Sequence, residues 1–190
     1  MKASVLAIGT ELVSGQILNR NAQTISLHLL HRGISTESHL SVSDNKENIL
    51  KALNYLENLS DLIFVTGGLG PTTDDFTRDV VAEWADKKMV YDEATWKYIT
   101  DRLRSRGLNV HEHQKQQCYF PEGAKILTNS QGTAHGFSFE CSRSTCVKKI
   151  IVLPGPPSEV AAIWKDHLDE WLKSQTISNP LIVKIWAYLS

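Results

Sequence analysis

The segment Gly67, Gly68, Leu69, Gly70, Pro71, Thr72, Thr73, Asp74, Asp75 holds the residue types best suited to chemistry in this chain. Three glycines clear side chains from a turn, so backbone N–H groups can approach an anion. Two adjacent carboxylates supply the hard oxygens through which a divalent cation reaches a phosphate. A helix opening here would direct a partial positive end at the same phosphate. A plainer reading also fits: a glycine turn with Thr73 or Asp74 as helix N-cap and acidic residues favouring the dipole. The spacing matches neither GxxxxGKS/T nor GxGxxG, so the standard nucleotide fingerprints do not account for it.

Other polar residues stand where they could join that loop. Glu11 follows Gly9, and could bind a metal, polarise a water or hold a ligand hydroxyl. Asn19 and Asn21 lie near the entry to the next helix. Asp44 closes a strand, where an open α/β fold often places an acidic ribose ligand, although capping the following helix explains it nearly as well. The seven histidines are scattered, and His111 with His113 lacks an obvious third zinc ligand. Cys118, Cys141 and Cys146 have no metal or redox spacing; Cys141 and Cys146 could face each other across a hairpin, but reduced thiols are expected. The five tryptophans fall on apolar stripes and read as core, and no GxSxG elbow is present.

The elements that must carry these residues alternate. Apolar runs predict buried strands over 4–9, 61–66 and 149–153, and a more exposed strand over 34–42. Helical spacing of apolar residues predicts helices over 17–30, 45–59, 74–86, 92–106 and 158–171. Short strands are expected at 125–127 and 136–140, while 111–119 is ambiguous. This is a parallel sheet with helices on its faces. In such a sheet the loops at the carboxyl ends of strands converge, so the turns at Gly9, Gly67 and Gly155 should share one crevice. Residues 181–189 are strand-rich and would need a partner within this sheet, in another copy or in a following module.

Taken in series, the motifs resemble the N-terminal domain of the CinA (competence/damage-inducible) proteins, which is related to the molybdopterin-binding MoaB/MogA proteins. The matching residues are Ile8, Gly9, Glu11, Leu12, Gly15, Ile17, Asn19 and Asn21, then Val42, Asp44 and Ile49. Thr66, Gly67, Gly68, Leu69, Gly70, Pro71, Thr72, Asp74, Asp75 and Thr77 form the most specific stretch. Asn129, Gly132, Thr133, Ala134 and Gly136 follow, then Leu153, Pro154, Gly155, Pro157 and Glu159. The resemblance implies a three-layer α/β/α, Rossmann-like domain over residues 1–174, with 175–190 a linker and strand. It also implies hydrolysis of ADP-ribose to AMP and ribose 5-phosphate, dependent on magnesium, manganese or cobalt. By similarity Asp74 and Asp75 hold the metal and Glu11 assists as ligand or base. Gly67, Gly68, Gly70 and Thr72 hold the diphosphate, and Asn21, Asp44, Asn129, Gly132, Thr133, Gly155 and Glu159 complete the pocket.

Three positions depart from the family pattern. His135 replaces a proline, either touching phosphate or simply occupying the turn. Thr10 replaces an aspartate, and Arg20 stands between Asn19 and Asn21. Many CinA proteins continue into a nicotinamide-mononucleotide deamidase domain, an activity not expected of these 190 residues. The related alternatives are molybdopterin binding or adenylylation, and a nucleotide-binding or assembly module without turnover.

Composition sets outer bounds. The 190 residues carry 20 Lys and Arg against 21 Asp and Glu, a net charge of −1, which argues against a DNA-binding surface. Hydrophobic residues make up 42%, ample for one core, and no apolar run reaches membrane-spanning length. These bounds leave a cytoplasmic protein with neither nucleic acid nor membrane as partner; the resemblance, with the strand-rich tail, adds the expectation of a homo-oligomer, a dimer first, that binds a small nucleotide.

Overall fold

The computed structural model describes residues 1–143 and 148–175. The first half alternates strand and helix: β1 (Lys2–Ile8), a single helical turn α1 (Thr10–Val13), α2 (Arg20–Leu30), β2 (Ser35–Val42), α3 (Lys46–Glu57) and β3 (Leu62–Thr66). There follow α4 (Thr77–Trp84), β4 (Met89–Tyr91), α5 (Glu93–Ser105), a 3-10 helix Glu112–Cys118, β5 (Tyr119–Pro121) and β6 (Lys125–Leu127). Then come β7 (Gly136–Cys141), β8 (Lys148–Leu153), α6 (Pro157–Ile163), a π-helical turn Trp164–Leu168 and α7 (Asp169–Ser174).

Six strands form one sheet in the order β2-β1-β3-β8-β7-β6. Pairings β1–β2, β1–β3 and β3–β8 are parallel; β8–β7 and β7–β6 are antiparallel. The expected mostly parallel sheet is therefore present, with an antiparallel flap on one side. Every residue of β3 is buried, as a strand covered on both faces requires. Because side chains alternate, the sheet feeds two cores. Leu6, Ile63, Val65, Ile150 and Val152 pack with Leu53, Val81 and Trp84 of α3 and α4. Val5, Phe64, Ile151 and Leu153 pack with Ile25, Leu29, Ile163 and Trp164 from the other side. The result is the three-layer α/β/α arrangement.

Helix boundaries follow side-chain caps rather than the apolar pattern alone. Asn19 accepts the Ala22 N–H at 3.0 Å, so α2 begins at Arg20, not at residue 17. Ile17 and Leu18 consequently lie outside the helix, 57% and 78% exposed. Asn45, not Asp44, caps α3 by accepting the Asn48 N–H at 3.1 Å. Helix α4 starts three residues later than its acidic sequence suggests, with Phe76 at the N-cap position and no side-chain cap, so neither Thr73 nor Asp74 serves that role. The helix expected over 158–171 extends to Ser174 but passes through the π turn. The separate antiparallel pair β4–β5, whose strands are joined through α5 and the 3-10 helix, was not expected, because these two short segments carry no clear alternation. Cys118 and Cys141 are buried free thiols. Cys146 and the apolar 181–189 segment lie outside the described residues.

Candidate functional site

Thr66, the last residue of β3, pairs with Ala7 of β1 on one side and Leu153 of β8 on the other. Three loops therefore leave the sheet side by side at the carboxyl ends of its central strands, as the sequence predicts. The Gly67 N–H donates to the Leu153 carbonyl at 3.1 Å, tying the second loop to the third. Gly67 has φ +101, and a Cβ there would lie 2.1 Å from the Ile8 carbonyl oxygen, so only glycine fits. Gly68, at φ +64, sits directly on the Thr77 hydroxyl, which is buried without a hydrogen-bond partner.

Two chambers open between these loops, sharing Gly155 and Pro156. The first, about 320 Å³, lies between Glu11, Leu12, Ile17, Leu18, Asn21 and Pro157 and is mainly apolar. The second, about 240 Å³, runs past Gly68, Gly70, Asp75, Thr133 and Glu159. Among the described residues the Gly68, Leu69 and Gly70 N–H groups have no hydrogen-bond partner. Three free donors on one loop make an anion cradle.

Asp74 and Asp75 precede α4 in a turn. The Thr72 hydroxyl lies 2.5 Å from Asp74 Oδ1 and 2.5 Å from Asp75 Oδ2, and the Thr72 N–H donates to Asp75 Oδ2 at 3.0 Å. One hydroxyl carries one proton, so it bonds one carboxylate at a time and holds both close across it. That hydrogen bond, with the residue's own backbone N–H, keeps Asp74 below the usual carboxylate range and hence ionised. Two exposed or half-exposed carboxylates fit a cation such as magnesium, which takes one or two protein carboxylates and fills its shell with water and phosphate oxygens. Among the described residues no three His, Cys, Asp or Glu side chains gather closely enough to hold a metal. Glu11 therefore does not join the aspartates; it lies in the apolar chamber, folded over Gly9.

The remaining candidates divide between wall and scaffold. Asn21 is 8% exposed and donates from Nδ2 to the Gly155 carbonyl at 2.8 Å, bracing the third loop. Asp44 stands off the chambers, accepting from the Thr10 N–H at 2.8 Å and hydroxyl at 2.9 Å. Thr10 thus links the first and second strand ends in place of the family's acid. Asn129 is fully buried and is the hub of its turn: Oδ1 accepts from Gln131 and Gly132 N–H, while Nδ2 donates to the Ala134 carbonyl and to Glu159 Oε2 at 2.7 Å. It positions Glu159 instead of facing the chamber. Gly132 packs against that same carboxylate, where a Cβ would come within 2.4 Å. Burial raises the Glu159 pKa above the ordinary carboxylate value, opposed by the Asn129 amide and by Arg102. His135 occupies the turn: it is 2% exposed, and its Nδ1 accepts the Asn129 N–H at 3.0 Å. Burial pulls its pKa down to about 4, so a neutral ring replaces the proline.

Several contributors carry no motif. Tyr98, on α5, donates its hydroxyl to the Asn129 carbonyl at 2.5 Å and lies beside the His135 ring. Arg78, Gln116 and Gln117 reach the glycine-rich loop from beneath. A buried polar side chain on an amphipathic helix was the one available signal, and Arg78 on α4 gives it.

A three-layer α/β/α fold with a crevice over the ends of β1, β3 and β8 defines a class. The chain belongs to the family of probable molybdopterin binding domains, whose sequence profile matches residues 4–174. Within that family its relatives are CinA-type. It is 40% identical over 182 residues to a CinA-like protein of Dictyoglomus turgidum, covering 96% of this chain and 43% of that protein. It is 39% identical over 179 residues to a putative competence-damage inducible protein of Clostridium botulinum, covering 94% of this chain and 43% of that protein. The chain thus spans under half the length of these relatives. The crystal structure of the protein CinA from Thermoplasma acidophilum superposes with a TM-score of 0.79 at 28% identity, covering 90% of this chain and 99% of that one. MoaB of Pyrococcus furiosus, a tungsten cofactor synthesizing protein, gives 0.58 at 17% identity over 91% and 95%, a likeness of fold.

Proposed function

We propose that this domain hydrolyses the diphosphate of a nucleoside diphosphate sugar, ADP-ribose first, to AMP and ribose 5-phosphate. The observation that carries the reading is the adjacency of the three free loop amides to the Thr72-linked aspartates, beside an apolar slot. The amides of Gly68, Leu69 and Gly70 receive the diphosphate. Leu12, Ile17 and Pro157 offer the flat adenine an apolar bed. Asp74 and Asp75 would hold magnesium, manganese or cobalt, which neutralises phosphate charge and lowers the pKa of bound water. Water adds to one phosphorus, the bridging P–O bond breaks, and Glu11 or Glu159 takes the proton. Burial raises the Glu159 pKa above the ordinary carboxylate value, the direction that suits a proton acceptor. Asp44 is left to brace Thr10, and Asn129 to hold Glu159.

A second reading, molybdopterin binding or adenylylation, has the family match and the MoaB-like fold in its favour. A non-catalytic nucleotide-binding or assembly module is the third. We further propose that the folded unit ends near residue 174, that it works in the cytoplasm as a homo-oligomer, a dimer first, and that its partner is a small nucleotide. The exposed apolar side chains Val13, Ile17 and Leu18 support self-association. Light scattering on the purified chain measures its mass directly, and a monomer at micromolar concentration overturns the oligomer.

The deciding assay follows AMP release from ADP-ribose with magnesium, manganese or cobalt, or with chelator. Metal-dependent release, falling about 100-fold or more in Asp74→Ala and Asp75→Ala, is expected. Turnover indifferent to both substitutions sinks the metal assignment. Binding without products selects the module, and selective binding of molybdopterin selects the second reading.

A further inference from the structure

The glycine-rich loop is held from beneath in a way no motif announces. Arg78 is 2% exposed, and its Nη2 donates to the Leu69 carbonyl at 2.6 Å. Gln117, 1% exposed, donates to the same carbonyl at 3.3 Å. Gln116 donates from Nε2 to the Gly70 carbonyl at 3.2 Å and the Thr72 carbonyl at 2.8 Å. The Thr77 N–H takes the Gly68 carbonyl at 3.2 Å. Four successive acceptors of the loop are thus engaged from α4 and the 3-10 helix, excepting Pro71, while the Gly68, Leu69 and Gly70 N–H groups stay unpaired.

Arg78 is also an incompletely matched buried cation. Its Nε is buried with no partner, and among the described residues it forms no ion pair. Asp75 and Asp79 act on it only through space, and Arg102, His135 and Cys118 are other titratable neighbours in the same field. Burial lowers its pKa to about 10, which still leaves it charged at neutral pH. Desolvating a charge is costly, and the fields of Asp75 and Asp79 offset only part of that cost, since burial remains the larger effect. An anion in the chamber above would supply further offset.

We propose that Arg78 is a buried positioning residue which, with Gln116 and Gln117, fixes the loop carbonyls so that the loop amides face a diphosphate, and lends its charge to holding it. This rests on reading the crevice as a diphosphate site. The sites are reached separately: Leu69 by the guanidinium, Gly70 and Thr72 by the Gln116 amide.

The test is calorimetric titration of the full chain with inorganic pyrophosphate and with ADP at low and high salt. Arg78→Met is expected to weaken pyrophosphate binding about tenfold or more and to flatten its salt dependence, since a charge is gone. Arg78→Lys should restore the salt dependence but not the full affinity, because an ammonium lacks the guanidinium fork. Gln116→Ala should weaken binding about threefold or more with the salt dependence unchanged. Folded Arg78→Met with wild-type affinity and salt dependence overturns the proposal. If Arg78→Met does not fold, wild-type binding by both Arg78→Lys and Gln116→Ala overturns it. AMP release is followed in parallel: wild-type protein that binds pyrophosphate without turnover removes the hydrolase reading and leaves this one, whereas wild-type protein that binds no pyrophosphate removes this one.

Discussion

Alanine at position 67 would place its Cβ 2.1 Å from the Ile8 backbone oxygen, in a conformation L residues rarely adopt. Backbone cannot step aside as a side chain can, so Gly67→Ala should cost about 3 kcal/mol or more. Gly155→Ala is the control: its Cβ would meet only ordinary contact at 3.7 Å, and the cost should stay below about 1 kcal/mol. Urea unfolding of both variants checks the contrast. His135 sets a pH dependence. Its folded pKa is about 4 against 6.5 unfolded, so only the unfolded state takes up the proton between those values. Stability should therefore fall as pH drops from 6.5 toward 4, by on the order of 3 kcal/mol, and stop falling on this account below 4. Unfolding midpoints at pH 7 and pH 5 should differ less in His135→Gln than in the wild type. At this scale sequence motifs located the glycines and the paired aspartates, because both types are forced by local geometry. They did not reveal that Thr72 would bridge the carboxylates, or that Asn129 would face inward, since those outcomes depend on which neighbours arrive.

Secondary structure was legible where periodicity is long. The buried strands β1, β3 and β8, and helices α3 and α5, lie close to where apolar spacing puts them. Errors gather at boundaries. Apolar Ile17 and Leu18 extend the helical pattern, yet the cap at Asn19 decides the start, and the two side chains are left to line the crevice. Asn19→Ala should cost about 1 kcal/mol and let the helix entry fray, measurable as faster amide exchange in the first turn of α2. In the core, Phe64 is fully buried and stacks on Trp164 at 5.6 Å between centroids, coupling β3 to the helical layer. Phe64→Ala should cost about 3–5 kcal/mol by leaving a cavity at the centre of the sheet. Strand β6 was expected where it lies, but β4, β5 and the 3-10 helix could not be assigned, because such short segments carry no readable period. The helix matters most of these, since Gln116 and Gln117 ride on it.

A near-neutral whole molecule is compatible with the anionic ligand proposed above: unpaired loop amides and a buried guanidinium act locally, where a sum of charges does not look. A chain cut after residue 175 should unfold in one cooperative transition within a few degrees of the uncut protein, because both described cores close within it. Circular dichroism on heating reads this, and a broad, non-cooperative melt counts against the proposed boundary. The strand order has a consequence in time as well as space. On β3, Leu62 pairs with Lys149, so one flank of the most apolar strand stays bare until the chain has grown across that whole interval. A nascent polypeptide emerging from a ribosome must carry this unsatisfied edge while the residues between Leu62 and Lys149 are added. The crevice, which needs all three loops, comes into being only when that late partner inserts.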